Sequence, residues 1–286
     1  MEWIDGIGKA LDYIEKNLTH ELTVEKIANH THISPFYFQK GFSMLCEISV
    51  SDYIRQRRLA LAGEDVVSTD KKIIDIALKY GYDSPDSFAK AFARFHGTTP
   101  KSARKMGGIV KSFAPLKISF TLKGGFSMDY KIVEKDSFTI IGASKKFSYD
   151  SAKTEIPKFW DDYYKTGKCD SVCGRYGVCV DEGNDGREFE YLIADLYDGQ
   201  KEIPEGFVTK NIPPFTWAIF PCIGAIPDAL QELNRKIFSE WLPNCKEYEF
   251  AASCSIEMYT LPSDYANGMD DPNYYCEIWV PIKNKA

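Results

Sequence analysis

At 286 residues the chain is long enough for two domains, and with 44% hydrophobic and 27% charged residues it has the balance of a folded protein. A net charge of −6 excludes a nucleic-acid binder that works by bulk charge, so any such surface has to be segregated onto one face of one part of the chain. No apolar run is long enough to span a bilayer, and the start, MEWID, lacks the basic and apolar segments of a secretion signal, so a soluble cytoplasmic protein is expected.

The first pattern in chain order is LTVEKIANHTHISPFYFQKGFSMLC, Leu22 to Cys46. It reads as a short helix (Val24, Ile27, Ala28), a polar turn, and a second helix opening at Ser34 and Pro35, a hydroxyl N-cap followed by a proline whose missing N–H does no harm there. Phe38 and Phe42 form the inward face of that second helix, Phe36 and Tyr37 flank it, and Gln39 and Lys40 lie outward.

Ser49 and Asp52 have capping-box spacing, which predicts a helix from there to about Val67 with Val50, Tyr53, Ile54 and Leu61 on one stripe and Arg55, Arg57 and Arg58 in its middle. Such a rod is roughly 27 Å long at about 1.5 Å per residue. The three arginines are suited to phosphate contact.

A second copy of the first pattern follows in IIDIALKYGYDSPDSFAKAFARFHGTTPKSARK, Ile73 to Lys105. An apolar helix stops at Gly81, a residue that tolerates a left-handed helix end. Ser84 and Pro85 then open a helix with Phe88, Ala91, Phe92 and Phe95 inward and Asp86, Ser87, Ala89, Lys90 and Arg94 outward. Short polar and basic side chains on the free face are what a helix lying in a major groove needs. Two such helix-turn-helix units on one rod set two reading heads near the roughly 34 Å separation of successive major-groove faces, so a single chain can grip double-stranded DNA as a monomer.

This arrangement resembles the AraC/XylS family of bacterial transcription regulators over residues 3 to 107, most closely in DSPDSFAKAFARFHGTTPKSAR. The resemblance implies Phe36, Gln39 and Lys40 as base-reading positions of the first unit and Asp86, Ser87 and Lys90 of the second. It also implies RNA polymerase as a partner and activation as the sign of regulation. Asp86 departs from the glutamine, threonine or arginine usual in the family: it accepts rather than donates, so the operator is not transferable from relatives.

Residues 1–107 carry 15 Lys/Arg against 14 Asp/Glu, and residues 108–286 carry 20 against 27, so the second part is expected to stay off DNA. Gly107-Gly108, Pro115 and Gly124-Gly125 mark a seam, giving domains at 1–107 and 128–286 with a linker at 108–127.

The C-terminal part contains an internal repeat. TIIGASKKF, a helix through Ile156, Trp160 and Tyr163, and the strands RYGVCV and FEYLIADLY make one unit. FTWAIFPC, a helix through Ile226, Leu230, Leu233, Ile237 and Trp241, and the strands CSIEMY and YCEIWVPI make the other. Two tandem strand-helix-strand-strand units predict an α+β domain with one antiparallel sheet, and the junction between repeats is a natural ligand groove.

Strand alternation places Glu277 with Trp279 and Glu257 with Tyr259, and Trp217, Trp160 and Tyr191 are candidate walls. A carboxylate among aromatics is costly to bury unless it meets a partner such as a cation stacked on the rings. The segments at residues 128–147, 212–243 and 277–282 resemble the GyrI-like effector-binding domain, so the whole chain is similar to the Rob-like subset of AraC-type regulators. The resemblance implies a small lipophilic, possibly cationic, effector recognised by Glu277 and Glu257. The loop Leu261 to Tyr274 is expected to bear on the mouth of the groove.

Two other readings stay open for this part: a hydrolase of electrophilic small molecules using a glutamate as general base, and a protein-binding module. No cofactor or metal is implied. Cys169, Cys173 and Cys179 do not have zinc-motif spacing, and His20, His30, His32 and His96 all lie in the other domain. Those three thiols are either reduced structural residues or a redox trigger, and Cys46, Cys222, Cys245, Cys254 and Cys276 read as reduced core.

Overall fold

The structure, a computed structural model, describes residues 2–31, 33–105, 110–117, 128–182 and 188–285. The glycine pairs read as seam and linker, and His32, lie outside the described residues.

Seven helices are described before the sheet: α1 (Glu2–Lys16), α2 (Val24–Ala28), α3 (Pro35–Cys46), α4 (Val50–Ser68), α5 (Ile73–Lys79), α6 (Pro85–His96) and α7 (Pro100–Lys105). The local signals act as their chemistry requires. Ser34, Ser49 and Ser84 each have extended backbone and accept a hydrogen bond from the amide three residues on, Tyr37, Asp52 and Ser87. The Asp52 carboxylate does not close a capping box; it pairs with Arg55 instead. Gly81 and Gly97 sit at helix ends with φ of 80° and 79°, where a side chain would be strained. The bridge α4 is one continuous 19-residue helix, about 28 Å long.

Nine strands form one sheet: β1 (Lys131–Lys135), β2 (Phe138–Ser148), β3 (Tyr176–Val180), β4 (Glu188–Leu196), β5 (Val208–Ile212), β6 (Phe215–Ile223), β7 (Tyr248–Phe250), β8 (Cys254–Tyr259) and β9 (Tyr275–Asn284). Every pairing is antiparallel, in the order β1-β6-β9-β8-β3-β4-β2-β5 with β7 against β9. The two repeats meet at β3 and β8. They also exchange their leading strands, since β1 pairs with β6 of the second unit and β5 with β2 of the first.

The helix α8 (Ala152–Lys165) packs over β2 and β4, with Tyr163, Ile156 and Phe159 against Phe147, Phe189 and Ile193. The helix α9 (Asp228–Lys236) runs through a π-helical turn at Ile237–Trp241 into α10 (Leu242–Asn244) and covers β6 and β9. Strands β3 and β8 lie between these two coverings. The opposite face of the sheet packs on its own side chains, with Val178, Leu192, Trp217, Ile219, Ile256 and Trp279 forming a separate core.

The cores do not follow the expected domain division. The second helix-turn-helix has its own core of Leu59, Val66, Ile76, Phe88 and Phe92. The first shares one core with the sheet domain, running from Trp3, Ile7, Phe36, Tyr37 and Phe42 to Phe220, Phe238, Trp241 and Ile278. No helix among the described residues is long and apolar enough to cross a membrane.

Candidate nucleic-acid interface and effector groove

The second unit presents its expected face. Phe88, Phe92 and His96 turn inward, while Asp86, Ser87, Lys90 and Arg94 are exposed along α6. His96 fixes this unit to the bridge. Its Nε2 lies 2.9 Å from the Leu59 carbonyl and its Nδ1 accepts from the Lys111 amide at 3.0 Å, so the ring is neutral with the proton on Nε2. Burial lowers its pKa below the usual histidine range. A depressed folded pKa means that the unfolded chain takes up the proton first. The contribution is therefore complete above about pH 6.5 and is lost as pH falls below it. Thermal melts between pH 7.5 and 5.5 should show a stability loss in this window that His96→Gln removes.

The first unit does not present its face. On α3 Phe36 and Tyr37 are buried, Gln39 is 3% exposed, and Lys40 is half-buried. The expectation that Phe36, Gln39 and Lys40 are free to read bases is corrected here: Phe36 and Lys40 meet the sheet domain at Tyr149 and Ser255, and Gln39 is buried. Tyr37 stacks on Phe250 with centroids 3.4 Å apart, and its hydroxyl donates to the Cys254 carbonyl at 2.6 Å. The Lys40 ammonium donates to Ser255 Oγ at 2.8 Å. Gly41 lets Trp3 and Phe238 close over the helix, since a Cβ there would stand 2.2 Å from the Trp3 ring.

Two of the three bridge arginines are also reassigned. Arg57 is buried, grips the Glu15 carboxylate through Nε and Nη2 at 2.8–3.1 Å, and donates Nη1 to the Phe113 carbonyl, tying α1, α4 and the segment 110–117 together. Arg58 donates to the Leu18 and His20 carbonyls at 2.7 Å and lies under Gly81. Their ends are satisfied by the protein itself. Arg55 is exposed and, among the described residues, pairs with the neighbouring Asp52.

The two glutamates occupy opposite faces of the sheet. In the register of β8 and β9, Glu277 faces Met258 and Glu257 faces Ile278, so alternation sends the carboxylates apart. The single site expected from Glu257, Glu277 and all five aromatics is thereby split. Glu277, with Trp279 and Trp217, belongs to the sheet's own core. It is 5% exposed and accepts from Tyr275 Oη at 2.7 Å, Trp279 Nε1 at 2.7 Å and Lys131 Nζ at 3.0 Å. Burial pushes its pKa up, and these three donors outweigh that and hold it below the usual carboxylate range.

Glu257 lies on the helix-covered face of the sheet with Tyr259 and Tyr191, and Trp160 of α8 stands against them. Tyr259 and Tyr191 hydroxyls donate to its Oε2 at 2.8 and 3.3 Å, and Trp160 Nε1 donates to Tyr191 Oη at 3.0 Å. Trp160 stands edge-on to Tyr259 at 5.4 Å and stacks with Tyr164 at 5.9 Å. Burial and the adjacent Glu257 charge push both phenols well above their ordinary range, so they remain neutral donors. Among the described residues no cation pairs with Glu257 within 4 Å.

Gly177 supplies the missing volume: a Cβ there would meet Tyr191 Oη at 2.2 Å. Cys179, beside Gly177 on the same face, is half-buried and desolvation raises its thiol pKa, whereas Cys173 is exposed beyond the end of α8. The loop after β8 lies beside this region, its Met269 carbonyl accepting from the Ile226 amide at 3.0 Å and Tyr265 packing on Tyr274 at 5.0 Å. Sequence reasoning missed Tyr37, Gly177, Phe250 and Ser255. The signal for α3 was present, because Phe36 and Tyr37 stand where α6 has Asp86 and Ser87.

An exposed helix-turn-helix joined to an antiparallel sheet covered by helices defines a two-part DNA-binding regulator. Residues 131–282 match the profile of Cass2, the integron-associated effector binding proteins, and residues 27–106 match that of the helix-turn-helix domain. The chain belongs to the AraC family of regulators and carries a Cass2/GyrI-like C-terminal domain.

The transcriptional activator AarP of Providencia stuartii is 38% identical over 98 residues, which are 34% of this chain and 73% of AarP. The regulatory protein SoxS of Escherichia coli K12 is 34% identical over 98 residues, 34% of this chain and 92% of SoxS. Among solved structures, SAV2435 bound to tetraphenylphosphonium is 21% identical with a TM-score of 0.47, covering 55% of this chain and 94% of its own.

Proposed function

We propose that this regulator is a transcription activator that takes a small lipophilic cation over Glu257 and reads DNA as a monomer, with α6 as the helix whose reading face is exposed, engaging RNA polymerase at its promoters. One observation carries the ligand reading: a carboxylate with no cationic partner among the described residues, flanked by Tyr191, Tyr259 and Trp160. A lipophilic cation offers what that group lacks, a positive charge together with apolar surface for the rings. AarP, an activator by name, supports the sign of regulation.

Titration of the full chain with tetraphenylphosphonium, followed by tryptophan fluorescence, tests the ligand reading. Saturable quenching through Trp160 is expected, and a linear response would dismiss it.

On the DNA side, Lys90 and Arg94 are exposed cations on α6 with no ion-pair partner among the described residues. Lys90→Ala and Arg94→Ala should each reduce the slope of log affinity against log salt by about 0.9 for each phosphate that the side chain neutralises, with the melting temperature unchanged. Unchanged slopes in both proteins would remove α6 from the duplex.

A further inference from the structure

We propose that α3 is the resident occupant of one end of the effector groove, held there through Lys40, and that a cationic effector releases it for DNA. This rests on the reading of Glu257 as the cation site and adds the means by which occupancy of that site is transmitted.

The geometry is direct. Ser255, which receives the Lys40 ammonium at 2.8 Å, and Glu257 are alternate residues of β8 on the same face. At about 3.3 Å per residue their Cα atoms are roughly 7 Å apart. The reading helix thus places its own cation one pleat from the effector's carboxylate, without a salt bridge to it. A second cation seated on Glu257 repels Lys40 at short range in a partly desolvated groove, where the interaction is worth roughly tenfold or more in an equilibrium. Effector and docked helix are therefore coupled by charge as well as by space.

The docked surface joins apolar and polar contacts. Its centre is apolar, with Tyr37 stacked on Phe250 and Trp3 against Phe238 at 5.7 Å, and α3 also buries Gln39, whose Nε2 has no hydrogen-bond partner among the described residues. On α6, built from the same Ser-Pro start, the reading face is free. In this state the chain offers DNA one helix of its two, and the second becomes available when α3 leaves the groove.

Hydrogen exchange on the full chain, with and without tetraphenylphosphonium, tests this. Saturating phosphonium should speed exchange of the α3 amides at least tenfold and leave α6 unchanged. Lys40→Met, which keeps the stem and removes the competing charge, should bind phosphonium several-fold more tightly. If phosphonium binds and Glu257→Gln abolishes that binding, but α3 exchange and the Lys40→Met affinity do not change, the coupling is overturned while the ligand site stands. If phosphonium does not bind at all, the ligand site falls and with it the coupling. Phe250→Ala, outside the Glu257 cluster, then decides whether α3 is docked: faster α3 exchange without ligand upholds docking, and unchanged exchange overturns it.

Discussion

Glu257→Gln is expected to weaken tetraphenylphosphonium binding by at least tenfold with little change in melting temperature, and Glu277→Leu to do the reverse. The argument is one of partners. Among the described residues Glu257 receives only neutral donors, the Tyr191 and Tyr259 hydroxyls, and a glutamine keeps an oxygen for them. Removing the charge takes away what a cation would gain and leaves no stranded ion in the fold. Glu277 accepts from Tyr275, Trp279 and Lys131 inside the sheet core. A leucine leaves the Trp279 N–H buried without an acceptor, at a cost of about 2–4 kcal/mol, while Lys131, 57% exposed, returns to water. Calorimetric titration and denaturant unfolding of both proteins check this. Loss of phosphonium affinity in Glu277→Leu at unchanged stability would move the ligand to the other face.

The split of the two glutamates also marks where sequence reading stops. Alternation within a strand is local, and it correctly joined Glu257 to Tyr259 and Glu277 to Trp279. The relation between strands depends on register. Glu277 meets Met258 rather than Glu257, a one-residue offset that no pattern inside either strand encodes and that inverts the face. Caps were legible for the same reason that registers were not: Ser34, Ser49 and Ser84 act on amides three residues away. The strand-helix-strand-strand repeat was legible from its periodicity, whereas the exchange of β1 and β5 between units was not, since edge pairing leaves no local trace.

The docking of α3 is an intermediate case. Its helical period and its Ser-Pro start were plain, and so was its resemblance to a reading helix. Its burial depends on Phe250, Cys254 and Ser255, more than 200 residues away in sequence. Aromatics at positions 36 and 37, where α6 has short polar residues, give the helix two apolar faces. A helix so built finds a second packing partner or exposes rings to water.

Arg57→Lys should destabilise the N-terminal region by about 2–3 kcal/mol although it conserves charge, a drop of several degrees in melting temperature. If Arg57 met phosphate, a lysine would serve nearly as well and stability would not change. Its guanidinium instead makes a forked contact with Glu15 and donates a third bond to the Phe113 carbonyl. A lysine ammonium is a single point of charge on a flexible stem and cannot hold both directions at once, so either Glu15 or the segment 110–117 is released. Tyr53 shares this joint: its hydroxyl donates to Glu15 at 2.7 Å and accepts from the Leu116 amide at 3.2 Å. Loosening there should appear first as faster hydrogen exchange at residues 111–117, with the slope of DNA affinity against salt unchanged. A reduced slope at unaltered stability would return Arg57 to the duplex.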